Sequence, residues 1–375
     1  MRTPGNTGGD MTSIEGAARR TLATWLLSTM AALLPAGHAV AGGEAGPISL
    51  RDQGFFWVGV RTTEVQVSGA PGTPARAGHA IEGQMFVGFQ FPAAKRHPYP
   101  LVLVHGGGGQ ATDWMGTPDG RDGWLDYFLA AGFDVYFVDR PAHGRSPNHR
   151  NYGEQLGAPP TLEQIAGFTA ESRQYPGGGQ ASSPEVKQHT ASSEPGPTVS
   201  NAILKENFAE LLDRIGPAII VTHSNGGPSG WLAMEARPDK VKGVLAIEPN
   251  MGIVDFLAPL ITFQPPLVPG ERIDTVQLPP EREGLAPCRL QPDGKVRTVP
   301  AYAGKPVLFV VAPLSSRFAP SVHCSVHLLN QLGASAKLAR LEDHGLQGNA
   351  HFMNEELNNG EIARKVFIPW LETIR

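Results

Sequence analysis

The sequence predicts an α/β protein: a mainly parallel central sheet flanked by helices and interrupted by lid-like insertions. Three observations carry that expectation. From residue 101 onward, short apolar runs of β type alternate with longer helical stretches, the rhythm of right-handed crossovers between parallel strands. At Val221-Thr222-His223-Ser224-Asn225-Gly226-Gly227 an apolar strand turns sharply into a helix-like segment. Two stretches rich in Pro or Gly, 153–200 and 251–303, exceed ordinary connection lengths and read as lids or substrate-binding excursions.

In chain order, Phe55–Val65 and Ile81–Phe91 are strand-like. The Gly/Pro/Ala-rich region Ser68–Gly78 between them predicts an antiparallel hairpin. The buried strands that follow are Leu101–Val104, Asp134–Val138, Ala218–Val221, Val241–Ile247, Pro306–Val311 and Lys337–Leu341. Helical patterns fall near Trp124–Ala131, Ala202–Ile215, Pro228–Ala236, Ser321–Leu332 and Asn354–Ile374. Residues 42–375 therefore read as one domain carrying two excursions, without an internal repeat.

The N-terminus has its own signature. Arg19-Arg20 precedes the uncharged run Thr21–Leu34, and His38-Ala39-Val40-Ala41 sets small residues at 39 and 41, so residues 1–41 predict a cleaved export signal. The destination is the periplasm or the medium. The apolar run is too short and too rich in Ala, Thr and Ser for a membrane span, and no cysteine follows the cleavage position to accept a lipid. Arg19-Arg20-Thr21-Leu22 fits both a twin-arginine route and an ordinary positive n-region. A formal net charge of −4 without basic blocks argues against nucleic acid as a partner. Cys288 and Cys324 would meet an oxidising compartment, where one disulfide would tie an irregular insertion to a helix; two buried thiols are the alternative.

The turn at Ser224 presents a hydroxyl at the tip of a tight bend, a nucleophile elbow, although Thr222 stands where the usual G-x-S-x-G pattern has its first glycine. Acyl transfer by serine further needs a base, an acid that orients the base, and N–H donors for the developing oxyanion. His105-Gly106-Gly107-Gly108-Gly109 follows a strand directly, and residues without Cβ let the backbone approach a substrate oxygen; Gly107 and Asn225 N–H are the expected oxyanion pair. No phosphate-loop or dinucleotide fingerprint accompanies these glycines. Two histidines follow the last strand, His344 and His351, and His351 is favoured because it sits just before the closing helix. The strand Pro306–Val311 runs into Ala312–Arg317 without a carboxylate, so Glu248, at the end of the preceding strand, is the expected acid; Glu342 and Asp343 are the fallback partners.

Other segments read as supporting structure. Asp139–Ser146 fits a tight turn beside the site loops, and His105 and His223 are expected to pack there. His323 and His327 have metal-ligand spacing, with Cys324 between them, but lack a third ligand in pattern, so neither metal nor organic cofactor is expected. Phe256, Leu257, Leu260, Phe263 and Leu267, with Trp114 and Met115, either wall an apolar pocket or pack the second excursion onto the sheet.

With these residues assembled, the chain resembles the α/β-hydrolase superfamily, and more narrowly exported bacterial serine esterases with a Ser-Glu-His triad. The resemblance runs from about Gly54 onward. It rests on His105-Gly106, Thr117–Arg121, Gly123-Trp124, Gly144–Ser146, His223-Ser224, Glu248-Pro249 and Gly348–His351. It implies the α/β-hydrolase fold, Ser224 as nucleophile, His351 as base and Glu248 as acid; where the apolar set above lines the pocket, small apolar or aromatic esters are the expected substrates. A lactonase, thioesterase or polyester hydrolase would use the same machinery. A cofactor-free lyase would keep serine and histidine without forming an acyl-enzyme, and an exported binding protein would need no triad.

Overall fold

The computed structural model describes residues 45–67, 69–148, 157–195, 199–268 and 270–375. The export signal expected at 1–41 lies outside them. Eight strands form the main sheet in the order β1-β4-β6-β5-β7-β8-β11-β12. They are β1 (Leu50–Val58), β4 (Met85–Pro92), β5 (Leu101–Val104), β6 (Val135–Asp139), β7 (Ala218–His223), β8 (Val241–Ile247), β11 (Pro306–Val311) and β12 (Ser335–Arg340). From β6 to β12 every pairing is parallel, while β4 pairs antiparallel with both β1 and β6. This is the α/β-hydrolase arrangement, with the strand before Ser224 at the centre of the sheet.

The near-continuous apolar strands follow from burial on both faces. Side chains alternate across a strand, so Val102 and Val104 join one core while Leu101 and Leu103 join the other. The first core is filled from α4 (Asn201–Ile215), α5 (Gly227–Ala236) and α6 (Val322–Gln331) by Phe208, Trp231 and Leu329. The second is filled from α1 (Trp124–Ala130) and the C-terminal helical run by Trp124, Phe128 and Phe367. Trp124 meets Phe367 edge-on at 4.7 Å between ring centroids.

The N-terminal hairpin departs from the expectation of two long strands. Each arm is broken, giving β1 and β4 in the main sheet and a separate pair, β2 (Arg61–Val67) with β3 (Arg76–Glu82). The breaks fall at Gly59 (φ +68°) and Gly83 (φ +78°). A Cβ on either glycine would lie 2.9 Å from the other's carbonyl oxygen, so only glycine fits this pinch.

The C-terminal helix also begins later than expected, at α7 (Asn359–Ile362), and runs through a wide turn, Ala363–Phe367, into α8 (Ile368–Leu371). Two asparagine side chains tie the segment before and at the start of this helix to the chain around residues 113–122. Asn354 Nδ2 donates to Asp113 O at 3.1 Å, and Asn359 Nδ2 donates to Asp122 O at 2.9 Å.

Both excursions carry structure of their own. The first holds α2 (Leu162–Thr169) and α3 (Pro184–Ser192), each started by a hydroxyl that accepts a first-turn N–H, from Thr161 and Ser183 respectively. The second holds β9 (Val276–Leu278) paired with β10 (Cys288–Leu290). Cys288 and Cys324 form a disulfide, which ties β10 to α6 across a sequence separation of 36. Closing a loop of that length restricts the unfolded chain. The double replacement Cys288→Ser with Cys324→Ser is expected to cost about 4 kcal/mol, read as a lower urea midpoint; reductant should shift the wild type similarly and leave the variant unmoved.

Candidate active site

Ser224 sits between β7 and α5 with φ +51°, a left-handed conformation rarely taken by a residue with a side chain. The glycines after it let this bend fit between neighbouring strand ends. A Cβ on Gly226 would lie 2.6 Å from His105 O, and one on Gly227 would lie 2.3 Å from Asn250 O. Gly230 of α5 faces Thr222 and Val244: a Cβ there would stand in ordinary contact with the Thr222 methyl at 3.6 Å but crowd Val244 Cγ1 at 3.0 Å. The Asn250 N–H donates to Ser224 O at 2.8 Å and fastens the bend to the loop after β8.

Glu248 ends β8 with φ +40° and is fully buried. Its Oε1 accepts the Ala312 N–H at 2.8 Å, and its Oε2 accepts the Ser315 hydroxyl at 2.7 Å. The loop after β11 contains no carboxylate and instead supplies donors to the one that β8 delivers. Nδ1 of His351 reaches the same Oε2 at 2.6 Å, and Nε2 of His351 lies 3.0 Å from Ser224 Oγ. Serine, histidine and glutamate thus form one hydrogen-bonded line.

The histidine loop is held on several sides. Nε2 of His223 donates to His351 O at 3.0 Å; burial, aided by the neighbouring His351, lowers the His223 pKa to about 3, so its ring is neutral. Phe318 stacks on the His351 ring at 4.8 Å. Glu356, also buried, accepts the Ala350 N–H at 2.7 Å and bonds to Asn349 Nδ2. The excursion is stitched to the same loop: Arg173 N–H donates to Gly348 O at 2.8 Å and Gln174 Nε2 to Gln347 O at 3.0 Å.

Gly107 and Asn225 line one cleft with Ser224 and His351. A Cβ on Gly107 would lie 2.3 Å from Asn225 Nδ2 and 3.3 Å from Asn225 Cβ, so glycine here lets the loop lie close against the bend. The cleft encloses about 700 Å³, and Ile165, Phe168, Met251, Phe318 and Phe352 form its apolar walls. The set from the second excursion does not supply those walls. Leu257 and Phe263 are buried in the core, Leu260 and Leu267 pack on it, and Phe256 faces a neighbouring cavity. Trp114 is buried, with Met115 packed beside it, in the other core.

His344 is exposed at the end of a short helical turn, away from the cleft. Asp343 is exposed too, and Glu342 faces Arg340 at 4.0 Å, so neither fallback acid meets His351. His323 Nε2 lies 3.2 Å from Cys288 Sγ, against the disulfide, and His327 pairs with Glu281 at 2.6 Å. Sequence reasoning missed Ser315, Glu356 and a buried group at the edge of the cleft. There His189 Nδ1 meets Glu355 Oε2 at 2.5 Å, Tyr175 donates its hydroxyl to the same oxygen at 3.1 Å, and Asp113 stands nearby. Burial and the Glu355 charge push the Asp113 carboxyl up to about 7.

Burial pushes the Glu356 carboxyl up to about 8, against the pull of its hydrogen-bond donors. A carboxyl raised by folding stabilises the fold fully below its unfolded pKa and loses that contribution as pH rises through the folded value. Between about pH 5 and about pH 8 the wild type should therefore lose stability relative to Glu356→Gln by roughly 1 kcal/mol per pH unit. Urea unfolding of both proteins across that window checks the slope.

A family model described as "Alpha/beta hydrolase family" matches residues 101–364. The chain is 32% identical over 313 residues to "Probable secreted lipase phiG" of a fungal species (strain ATCC 74256), covering 75% of this chain and 84% of that protein. Among solved structures, "The Atomic Resolution Structure of a Novel Bacterial Esterase" superposes with a TM-score of 0.66 at 23% identity, over 88% of this chain and 98% of that one. On the family match and on the extent of its likeness to the lipase, the chain belongs to the alpha/beta hydrolase family.

Proposed function

We propose that the protein is a serine esterase that cleaves carboxylic esters through an acyl-enzyme. The observation that carries this reading is the line Ser224 Oγ, His351, Glu248, with separations of 3.0 Å and 2.6 Å. Ser224 Oγ attacks the ester carbonyl carbon while His351 Nε2 takes the hydroxyl proton. The Glu248 carboxylate, held by Ala312 N–H and Ser315 O–H, keeps the other ring nitrogen oriented and stabilises the imidazolium. Gly107 and Asn225 N–H groups receive the oxyanion. When the tetrahedral intermediate collapses, the proton passes from His351 to the departing alcohol. Water, activated by the same imidazole, then attacks the acyl carbon, and Ser224 regains its proton as the acid leaves.

The aromatic and aliphatic walls of the cleft favour esters with an apolar or aromatic group. The fungal relative is named as a lipase, which fits apolar substrates. That name also says secreted. Together with the disulfide and the export-type N-terminus, it supports work in the periplasm or the medium. Among the described residues no helix is long and apolar enough to cross a membrane.

Ser224→Ala is expected to lower turnover of an aryl ester by on the order of 10⁴-fold or more, and a serine-directed phosphonate should label the peptide bearing Ser224 in wild type alone. Retained hydrolysis in the variant would overturn the assignment. For Glu248→Gln the loss should be roughly 10³- to 10⁴-fold, appearing in kcat. Parallel panels of esters, lactones and thioesters identify which acyl compounds the cleft accepts.

A further inference from the structure

Arg140 follows β6, whose neighbour in the sheet is β5, so its side chain lies beside the glycine loop that β5 feeds. Its Nη2 donates to Gly106 O at 2.6 Å, and its Nη1 approaches Asn225 O at 3.4 Å. Its backbone N–H donates to His105 Nε2 at 2.9 Å. That bond places the His105 proton on Nδ1, which donates to the same Gly106 oxygen at 2.9 Å. One carbonyl is therefore gripped by two donors from one side.

A trans peptide points its C=O and its N–H in opposite directions. With Gly106 O turned toward Arg140, the Gly107 N–H is aimed the other way, toward the cleft that Gly107 shares with Ser224. A Cβ on Gly106 would stand 3.2 Å from Ser224 Cβ, which puts this peptide directly against the nucleophile. Arg140 is also a buried cation, and the Asp113 carboxyl offsets its charge only at longer range. Among the described residues no carboxylate pairs with its guanidinium, and its Nε is shielded without a partner. Asp139, the adjacent carboxylate, is already occupied by the Ala111 N–H at 2.7 Å and by Arg145. His105 and His143 beside it are kept neutral by burial and by the Arg140 charge, the latter lowered to about 4.

We propose that Arg140 is a positioning residue of the oxyanion hole, fixing and polarising the Gly107 N–H through the Gly106 carbonyl. The inference rests on the acyl-transfer reading of Ser224. A charge-assisted bond to a carbonyl draws electron density toward that oxygen and leaves the N–H of the same peptide a stronger donor. The gain is largest when the substrate oxygen becomes negative, so it belongs to the transition state and not to ester binding.

The test uses the full chain as wild type, Arg140→Met, Arg140→Lys, Arg140→Gly and Ser224→Ala. Each is assayed for kcat and KM on an aryl ester and for inhibition by an alkyl boronic acid, whose serine adduct carries the tetrahedral oxyanion. Arg140→Met should lose about 10²-fold in kcat, the scale of one oxyanion donor, with KM little changed and boronate affinity weakened in parallel. Arg140→Lys should recover part of the loss, and added guanidinium at millimolar levels should raise turnover by Arg140→Gly. This rescue distinguishes a lost charge from a misfolded variant. Wild-type kcat in Arg140→Met, or a loss confined to KM, overturns the inference while Ser224→Ala remains inactive. An active Ser224→Ala overturns the underlying esterase reading and the inference with it.

Discussion

The bond between His351 Nδ1 and Glu248 Oε2 joins residues 103 apart in sequence, and the surrounding structure is largely what its formation requires. Glu248 must leave β8 with positive φ to bring its carboxylate to the sheet edge, just as Ser224 leaves β7. Non-glycine residues held in that region cost on the order of 1–3 kcal/mol each, so neither bend would persist without support. The supports are identifiable. Asn250 N–H clasps the serine carbonyl, Val310 O accepts the Glu248 N–H, and the loop after β11 donates twice to the carboxylate. Two adjacent strands in parallel register bring both strained residues to the same rim of the sheet.

The third member arrives differently. His351 belongs to a loop of Gly, Asn and Ala held by other side chains: Glu356 from below, His223 at its carbonyl, Phe318 across its ring. The imidazole is thus fixed by packing and hydrogen bonds gathered from distant parts of the chain. The same economy governs the glycine loop after β5. His105 and Arg140 meet at one carbonyl, and Asp139 is spent on Ala111 and Arg145, which steadies the two flanks of that loop.

Much of this was legible in the residues. Strand positions were set by buried apolar runs, whose sharp ends follow from the change to Gly, Pro and polar residues. The order of Ser224, Glu248 and His351 followed from which strand ends carry which side chains. What escaped was long-range or conformational. Gly59 and Gly83 each resemble an ordinary turn glycine until they are found pressed together. Nothing local marks Asn354 and Asn359 as backbone partners of residues more than 200 positions away. The dense apolar residues of the second excursion fit a pocket wall and packing onto the sheet equally well by sequence. Leu257, Leu260, Phe263 and Leu267 belong to the core or pack on it, Phe256 faces a neighbouring cavity, and the cleft is walled by Met251 and by scattered aromatics, Phe168, Phe318 and Phe352, which have no periodicity in common.

The stitching of residues 173–174 to residues 347–348 ties the roof of the cleft to the loop that carries the imidazole. The covering helices cannot swing outward at that end as a free flap without slackening the histidine. The side of the cleft near Pro160 and the start of α2 is not stitched in this way. On the proposed mechanism, lifting the cover at that end would loosen the very imidazole that must take the serine proton.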